Sequence, residues 1–387
     1  LPINQFSKWK YKMKIAVLTY NFNNNYGGML QAYAMLETLK KLEHDPELLF
    51  VQTINLKLSK KSKTKNFLKK HVFCHLTDRW PRIKYIDKIE KNTRYFIDKY
   101  ITPKTKPIHK KEHFSKIENN EYEAYLVGSD QIWRARVYRY IDYAFFGFVK
   151  SDKPVFLSYA ASFGVDTWDY TEEETSKYKQ QLQRFSGVAV REDSGVELCK
   201  EHFDKDAIHV LDPTMLLDPD DYRKIAKQEK EPNHPGELLT YVLDMNEEKK
   251  SVIDMIANEF DYKPFKVNVK PKEQMKTIAD MTYPTVTSWL QGFDDAKYII
   301  TDSFHGCAFA ILFNKPFIAY GNKARGMARF NSLLKMFGLE ERLVVSLSEV
   351  STAKIKAEID WASVNSKLAE YRRISQGYLV DTLKVSS

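Results

Sequence analysis

The stretch Tyr298-Ile299-Ile300-Thr301-Asp302-Ser303-Phe304-His305-Gly306-Cys307-Ala308-Phe309 sets acid, hydroxyl and imidazole groups almost side by side. It begins with aromatic and β-branched residues that suit a central strand. It then breaks into polar groups and restarts as the apolar run Ala308 to Phe313. In open α/β sheets ligands bind at the carboxyl ends of strands, where helix N-termini turn backbone N–H groups outward. His305 is therefore a candidate for proton transfer, with Asp302, Ser303 and Gly306 beside an anionic substrate. An imidazole in such a turn can equally serve only to bond the backbone. The other motifs of the chain favour chemistry.

The same design recurs. Asn25-Tyr26-Gly27-Gly28 lies between a strand and a helix, where N–H groups can cradle a phosphate or carboxylate, although it is neither a GxGxxG nor a Walker loop. In Gly128-Ser129-Asp130-Gln131-Ile132-Trp133, Asp130 suits a base or a sugar-hydroxyl ligand and Trp133 a stacking platform; an Asp cap with a core Trp is the plainer alternative. Arg191, in Arg191-Glu192-Asp193-Ser194, suits a carboxylate or phosphate fork, with a surface ion pair as the alternative. Asp212-Pro213-Thr214 ends a further strand, where Asp212 can line the cleft or start a turn. Lys323, Arg325 and Arg329 gather three cations at a loop and helix start, where they oppose the helix dipole and so suit an anionic donor. Cys307 fits a small core residue better than a thiolate. His109-Lys110-Lys111-Glu112-His113 matches the H-x-x-E-H zinc pattern, but its lysine-rich, weakly apolar setting argues against a metal. His71, Cys74 and His75 are too few for one, so no metal site is expected.

Two runs of strand–helix alternation must position these groups. The first has strands over 14–20 and 48–51 around a helix over 29–42, then strands over 125–128, 155–160, 188–190 and 208–211. Pro219, Pro232 and Pro235 bracket a charged connection. The second run has strands over 238–243, 265–269, 298–301 and 316–320, with helices between them. The expected class is α/β, with two Rossmann-like doubly wound domains facing a cleft. The boundaries are an extension at 1–12, a first domain at 13–218, a linker at 219–236, a second domain at 237–358 and a helical tail at 359–387.

Bulk properties exclude several classes. The 387 residues are 43% hydrophobic and 29% charged, as in a globular protein. No apolar run approaches the roughly 20 residues of a membrane span. Residues 1–12 lack the apolar core of a secretory signal. Three scattered cysteines give no disulfide framework, which points to a reducing cytosol. The net charge of +9 is concentrated at 57–70, where seven lysines stand without an acid. A solvated loop is the first reading of that run, and peripheral contact with the inner membrane surface or an acidic glycan is the second. Nothing around it is a nucleic-acid motif.

Taken in order, six blocks resemble the polysaccharide pyruvyl transferase family: Asn25-Tyr26-Gly27-Gly28-Met29-Leu30-Gln31-Ala32, Gly128 to Trp133, Ser158-Tyr159-Ala160-Ala161-Ser162-Phe163-Gly164, Val190 to Ser194, Leu211 to Thr214, and Thr301 to Gly306. The resemblance implies a GT-B-like fold whose C-terminal helix crosses back to the first domain. It implies phosphoenolpyruvate as co-substrate, no required cofactor, and a galactose-like sugar on a glycan or lipid-linked oligosaccharide as acceptor. His305 takes the family histidine's place, with Asp130 and Asp302 as its catalytic companions, and Arg191 takes the place of the family arginine. Arg191, Ser303, Gly306, Arg325 and Arg329 are then the donor-binding candidates, and Asn25, Gly27, Gly28, Gln31, Ser129, Gln131, Trp133 and Asp212 line the acceptor side or cleft. Some members carry an arginine two residues before the histidine, where this chain has Ser303, so Arg325 or Arg329 supplies that charge or the donor differs. A nucleotide-sugar glycosyltransferase of the same architecture is the alternative enzyme. A non-catalytic glycan binder is the other alternative, compatible with 23 Tyr, 23 Phe and 6 Trp.

Overall fold

The computed structural model describes residues 12–22, 24–52, 85–117, 122–269, 275, 277–321 and 326–384. The lysine run at 57–70, His71, Cys74, His75, Lys323 and Arg325 lie outside them.

Strand β1 (Lys14–Leu18) is apolar on both faces from Ile15 onward and is buried there, as a central parallel strand must be. It lies between β2 (Asp45–Leu48) and β3 (Ala124–Val127), followed by β4 (Val155–Ser158) and β5 (Phe185–Gly187), in the parallel order β2-β1-β3-β4-β5. β2 falls three residues earlier than its expected place and takes in Pro46, which an edge strand tolerates. A short parallel pair, β6 (Ala189–Val190) and β7 (Ile208–His209), joins this sheet through the bridge Ala161–Val190. The second sheet holds β8 (Leu238–Tyr241), β9 (Pro264–Phe265), β10 (Tyr298–Thr301), β11 (Phe317–Tyr320) and β12 (Leu343–Val344), in the parallel order β12-β11-β10-β8-β9.

Helices fill the crossovers. In the first domain they are α1 (Tyr26–Lys41), α2 (Ile86–Ile89), α3 (Lys91–Tyr100), α4 (Glu172–Leu182) and α5 (Asp193–Phe203). The connection is itself a helix, α6 (Pro219–Gln228), which starts with proline inside an Asp218/Asp221 capping box. The second domain has α7 (Glu247–Phe260), α8 (Ile278–Met281), α9 (Val286–Asp295), α10 (Phe304–Leu312), α11 (Ala328–Phe337) and α12 (Thr352–Lys356), and the chain continues into α13 (Trp361–Lys384). α13 lies on the first domain. Arg372 donates to Met215 O and Leu217 O, both at 2.6 Å, Ser375 Oγ accepts from Leu211 N at 3.0 Å, and Tyr378 donates to Ser158 O at 2.8 Å. No helix among the described residues is long and apolar enough to cross a membrane.

Each sheet reverses its winding once, between β1 and β3 in the first and between β8 and β10 in the second. Crevices at such switch points are where open α/β sheets bind ligands. The two domains meet there. Tyr26 donates to Pro284 O at 3.0 Å, Asn92 to Tyr283 O at 2.8 Å, and the N–H of Asp193 to Ser332 Oγ at 2.9 Å. One apolar cluster runs through both, from Val17 and Leu30 to Trp289 and Ile299, and each domain adds a further cluster of its own.

Candidate active site

Arg191 follows β6 and is buried, with 1% of its side chain exposed. A guanidinium can persist there only if its donors are satisfied. Nη1 donates to Asp212 at 3.0 Å, Nε to Glu192 at 3.2 Å and Nη2 to Asp130 at 3.3 Å, while the ring of Phe304 lies 4.2 Å below. The three carboxylates raise its pKa well above the ordinary arginine value, against burial, the largest single influence, which lowers it. The fork expected to grip a substrate anion thus grips the protein's own acids.

His305 stands in the first turn of α10, behind the Ser303 N-cap. Its Nε2 is 3.6 Å from Asp212 Oδ2, too long for a hydrogen bond, and makes none although buried. Asp212 is fully buried, which raises its pKa, but His305, Arg191 and the N–H of Thr214 together hold the carboxyl below the usual range, so it is ionised. Ser129 Oγ also donates to it, at 3.1 Å. The imidazole therefore belongs to the second domain and its carboxylate to the first. Gly27 makes the approach possible: a Cβ there would lie 2.1 Å from His305 Nδ1.

Asp302 is a correction to the sequence reading. It accepts from the N–H of Leu243 at 2.7 Å, from that of Asp244 at 3.0 Å and from Lys249 Nζ at 2.7 Å, fastening the loop after β8 to the end of β10. Both oxygens are engaged inside one domain, and the carboxylate nearest the histidine is Asp212 instead. Trp133 is likewise no stacking platform: it is fully buried against Phe145, with rings 5.2 Å apart and 4° from parallel, and Nε1 donates to Ala144 O. Gln31 is buried and pins the loops after β1 and β3, donating to Thr19 Oγ1 at 2.6 Å and accepting from Ser129 N at 3.1 Å. Gly306 gives its N–H to Ser303 Oγ at 3.4 Å, and a Cβ on it would come within 2.0 Å of Thr301 Oγ1, so its role is close packing of α10 on β10. Gly28 is buried inside α1, while Asn25 is exposed at its N-terminus.

Arg329, in the first turn of α11, feels Arg191, Asp130, Glu192 and Arg134, which places it at the interface of the domains. An edge of the residue reaches solvent, yet its guanidinium is desolvated, and burial followed by repulsion from Arg191 brings its pKa down to about 10. Glu192, Ser162, Thr214 and Arg134 escaped the sequence reading. Ser162 Oγ donates to Glu192 at 2.7 Å, and Thr214 donates through both N–H and hydroxyl to Asp212. Arg134 Nη1 donates to Gln131 Oε1 at 2.7 Å. Cys307 is buried, which pushes its thiol pKa up, as fits a packing residue. His109 lies with Nδ1 3.3 Å from Gln52 O, and no cluster of three metal-ligating side chains occurs among the described residues.

The site combines a buried imidazole with no hydrogen bond at Nε2, an ionised carboxylate facing it, and arginines from both domains. Such a set can pass a proton beside an anion. A family model described as polysaccharide pyruvyl transferase matches residues 25–324. Among solved structures the chain is similar to UDP-N-acetylglucosamine 2-epimerase from Rickettsia bellii, with a TM-score of 0.56 and 11% identity over 97% of each chain. It is also similar to UDP-GlcNAc 2-epimerase from Neisseria meningitidis bound to UDP-GlcNAc, with a TM-score of 0.49 and 10% identity over 96% of this chain and 99% of that one. The glycosyltransferase from Rickettsia africae ESF-5 gives 0.44 and 11% over 95% and 99%. At these identities the likeness is one of fold, two Rossmann-like domains in the GT-B manner. No curated protein sequence matches.

Proposed function

The chain belongs to the polysaccharide pyruvyl transferase family, and from that premise we propose that it moves the pyruvyl group of phosphoenolpyruvate onto a sugar of a surface or capsular polysaccharide, or of its lipid-linked precursor. The observation that supports this most is His305 Nε2, buried, without a hydrogen bond, and 3.6 Å from the ionised Asp212. Protonation at C3 of the enol turns CH2 into CH3 and leaves cationic character at C2. One sugar hydroxyl adds to C2, a second displaces phosphate, and the ketal closes. Two hydroxyl protons are released, which balance the proton gained at C3 and one carried off with phosphate or solvent. In this scheme His305 moves the proton, and Asp212 steadies the ring's positive charge from across the cleft. Arg191 acts as a positioning residue, holding Asp130, Glu192 and Asp212 in place. Asp130 is the carboxylate offered to the acceptor hydroxyl, and Ser303 and Arg329 lie on the donor side.

A thermal-shift comparison of phosphoenolpyruvate with nucleotide sugars tests the donor without knowledge of the acceptor. A ligand at about 100 times its dissociation constant stabilises the native state by roughly 2.7 kcal/mol. Stabilisation by phosphoenolpyruvate, followed by phosphate release with an acceptor that disappears in His305→Ala, is the expected result. Stabilisation by a nucleotide sugar alone moves the assignment to glycosyl transfer.

A further inference from the structure

Arg134 sits in the turn after β3, between the buried Trp133 and a series of exposed residues. Gln131 holds one end of its guanidinium, and the Nε is buried without a hydrogen-bond partner. A buried donor of that kind costs stability unless something other than the protein's own groups meets it. Its surroundings come from both domains. The carboxamide of Gln131 packs where a Cβ on Gly164 would stand, 2.5 Å away, and Gly326 of the second domain packs on Gly164, since a Cβ on Gly326 would meet Gly164 O at 2.4 Å. α11 begins immediately beyond, with Arg329 in its first turn. The start of α11 is thereby pressed against the loop that fixes Arg134.

The charges favour an anion at this point. Asp130, Glu192 and Asp212 all bond to Arg191. Arg134 acts repulsively on Arg329, whose guanidinium is desolvated, and Arg329 lies at a helix start, where a cation opposes the dipole. The Tyr20 phenol, pushed up in pKa by burial and then by Asp130, shares that space with Arg134. Building on the pyruvyl-transfer reading, we propose that Arg134 of the first domain and Arg329 of the second form a two-sided clamp on the anionic end of the donor, so that donor binding joins the domains. The chemistry recognised is a carboxylate or phosphate oxygen pair, which phosphoenolpyruvate and the diphosphate of a nucleotide sugar both offer.

The test is calorimetric titration of the full chain with phosphoenolpyruvate and, separately, UDP-N-acetylglucosamine. Arg134→Gln and Arg329→Gln should each weaken phosphoenolpyruvate about tenfold or more, the effect of losing charge-assisted hydrogen bonds. Arg134→Lys should recover part of the loss, and Gln131→Ala, which frees the guanidinium without removing its charge, should weaken binding by less. If Arg134→Gln does not fold, Arg329→Gln decides, and wild-type affinity in it overturns the clamp. Wild-type affinity in Arg134→Gln overturns the clamp and leaves pyruvyl transfer standing. If the wild type ignores phosphoenolpyruvate but binds the nucleotide sugar, the pyruvyl reading fails, and the clamp survives only if Arg134→Gln weakens that ligand. A wild type that binds neither overturns both.

Discussion

Two strand ends carry nearly the same residues and put them to opposite use. After β3 the chain reads Gly128-Ser129-Asp130, and at the end of β10 it reads Thr301-Asp302-Ser303. Both aspartates are buried at the switch point of their own sheet. Asp302 is closed in by partners from one domain: two backbone N–H groups and the ammonium of Lys249. Asp130 meets Arg191 at 3.3 Å and also acts on Arg329 across the cleft. The difference teaches that a polar strand end is structural when its own domain satisfies it, and available for chemistry when its remaining partners lie in another body. His305 obeys the same rule, since its carboxylate neighbour comes from the other domain.

The largest effect is expected at His305. His305→Ala should lower turnover by about 10²–10⁴-fold, the usual worth of a general acid or base, in a protein that still folds, because Nε2 gives up no hydrogen bond. A folded mutant with near-normal turnover would remove the site from the imidazole. Asp302→Ala comes next, and its effect is on stability. It leaves Lys249 buried without its carboxylate and should cost about 3–5 kcal/mol in denaturant unfolding. Asp130→Ala should cost less, about 1–2 kcal/mol, because Arg191 keeps two carboxylates, yet it should reduce turnover. If the order of these two stabilities is reversed, the contrast between the strand ends fails.

Gly27→Ala sharpens the point. The added methyl meets the imidazole at 2.1 Å, so the ring must shift, and misplacement of about 1 Å can cost on the order of 10²-fold in rate. Stability should fall by about 1–3 kcal/mol; full activity would show that the ring's position is unimportant. Asp212 predicts a pH effect. Its folded pKa lies below the unfolded value near 3.8, so its contribution to stability is present above that value and is lost as pH falls through the lower folded one. Acid unfolding of Asp212→Asn should lack that limb, and an unchanged acid profile would mean the carboxylate is not held ionised. Ser332→Ala is the smallest change. It removes the acceptor of Asp193 N between the domains and should cost about 1 kcal/mol, read in the melting curve.

Much of this architecture was legible in the residues. Buried parallel strands announce themselves as unbroken apolar runs, and the polar residues that follow Val127, Val190 and Thr301 mark their carboxyl ends. The partners were not legible. Nothing near His305 in sequence singles out Asp212, which reaches it only when the domains close on Gly27. Asp302, three residues away, looked better because proximity along the chain was the only distance available. Trp133 follows a polar loop and so resembled a platform, but the aromatic side chains of Phe145 and Phe163 enclose it from later segments. Arg134 sits in a turn without periodicity, with Arg136 and Arg139 close behind it, and nothing in the sequence marks it as the one whose Nε is buried.

The hold of α13 on the first domain bears on how far along the chain the site depends. Asp212 comes into position at the end of Leu211, whose N–H is bound by Ser375 Oγ, and Arg372 fastens the segment just beyond. The residue that faces His305 is thus secured by a helix 164 residues further along the chain. A chain cut before α13 would carry every candidate catalytic group and still have an unfinished site. Docking of α13, rather than folding of either domain alone, completes the anchorage of the strand end that carries Asp212.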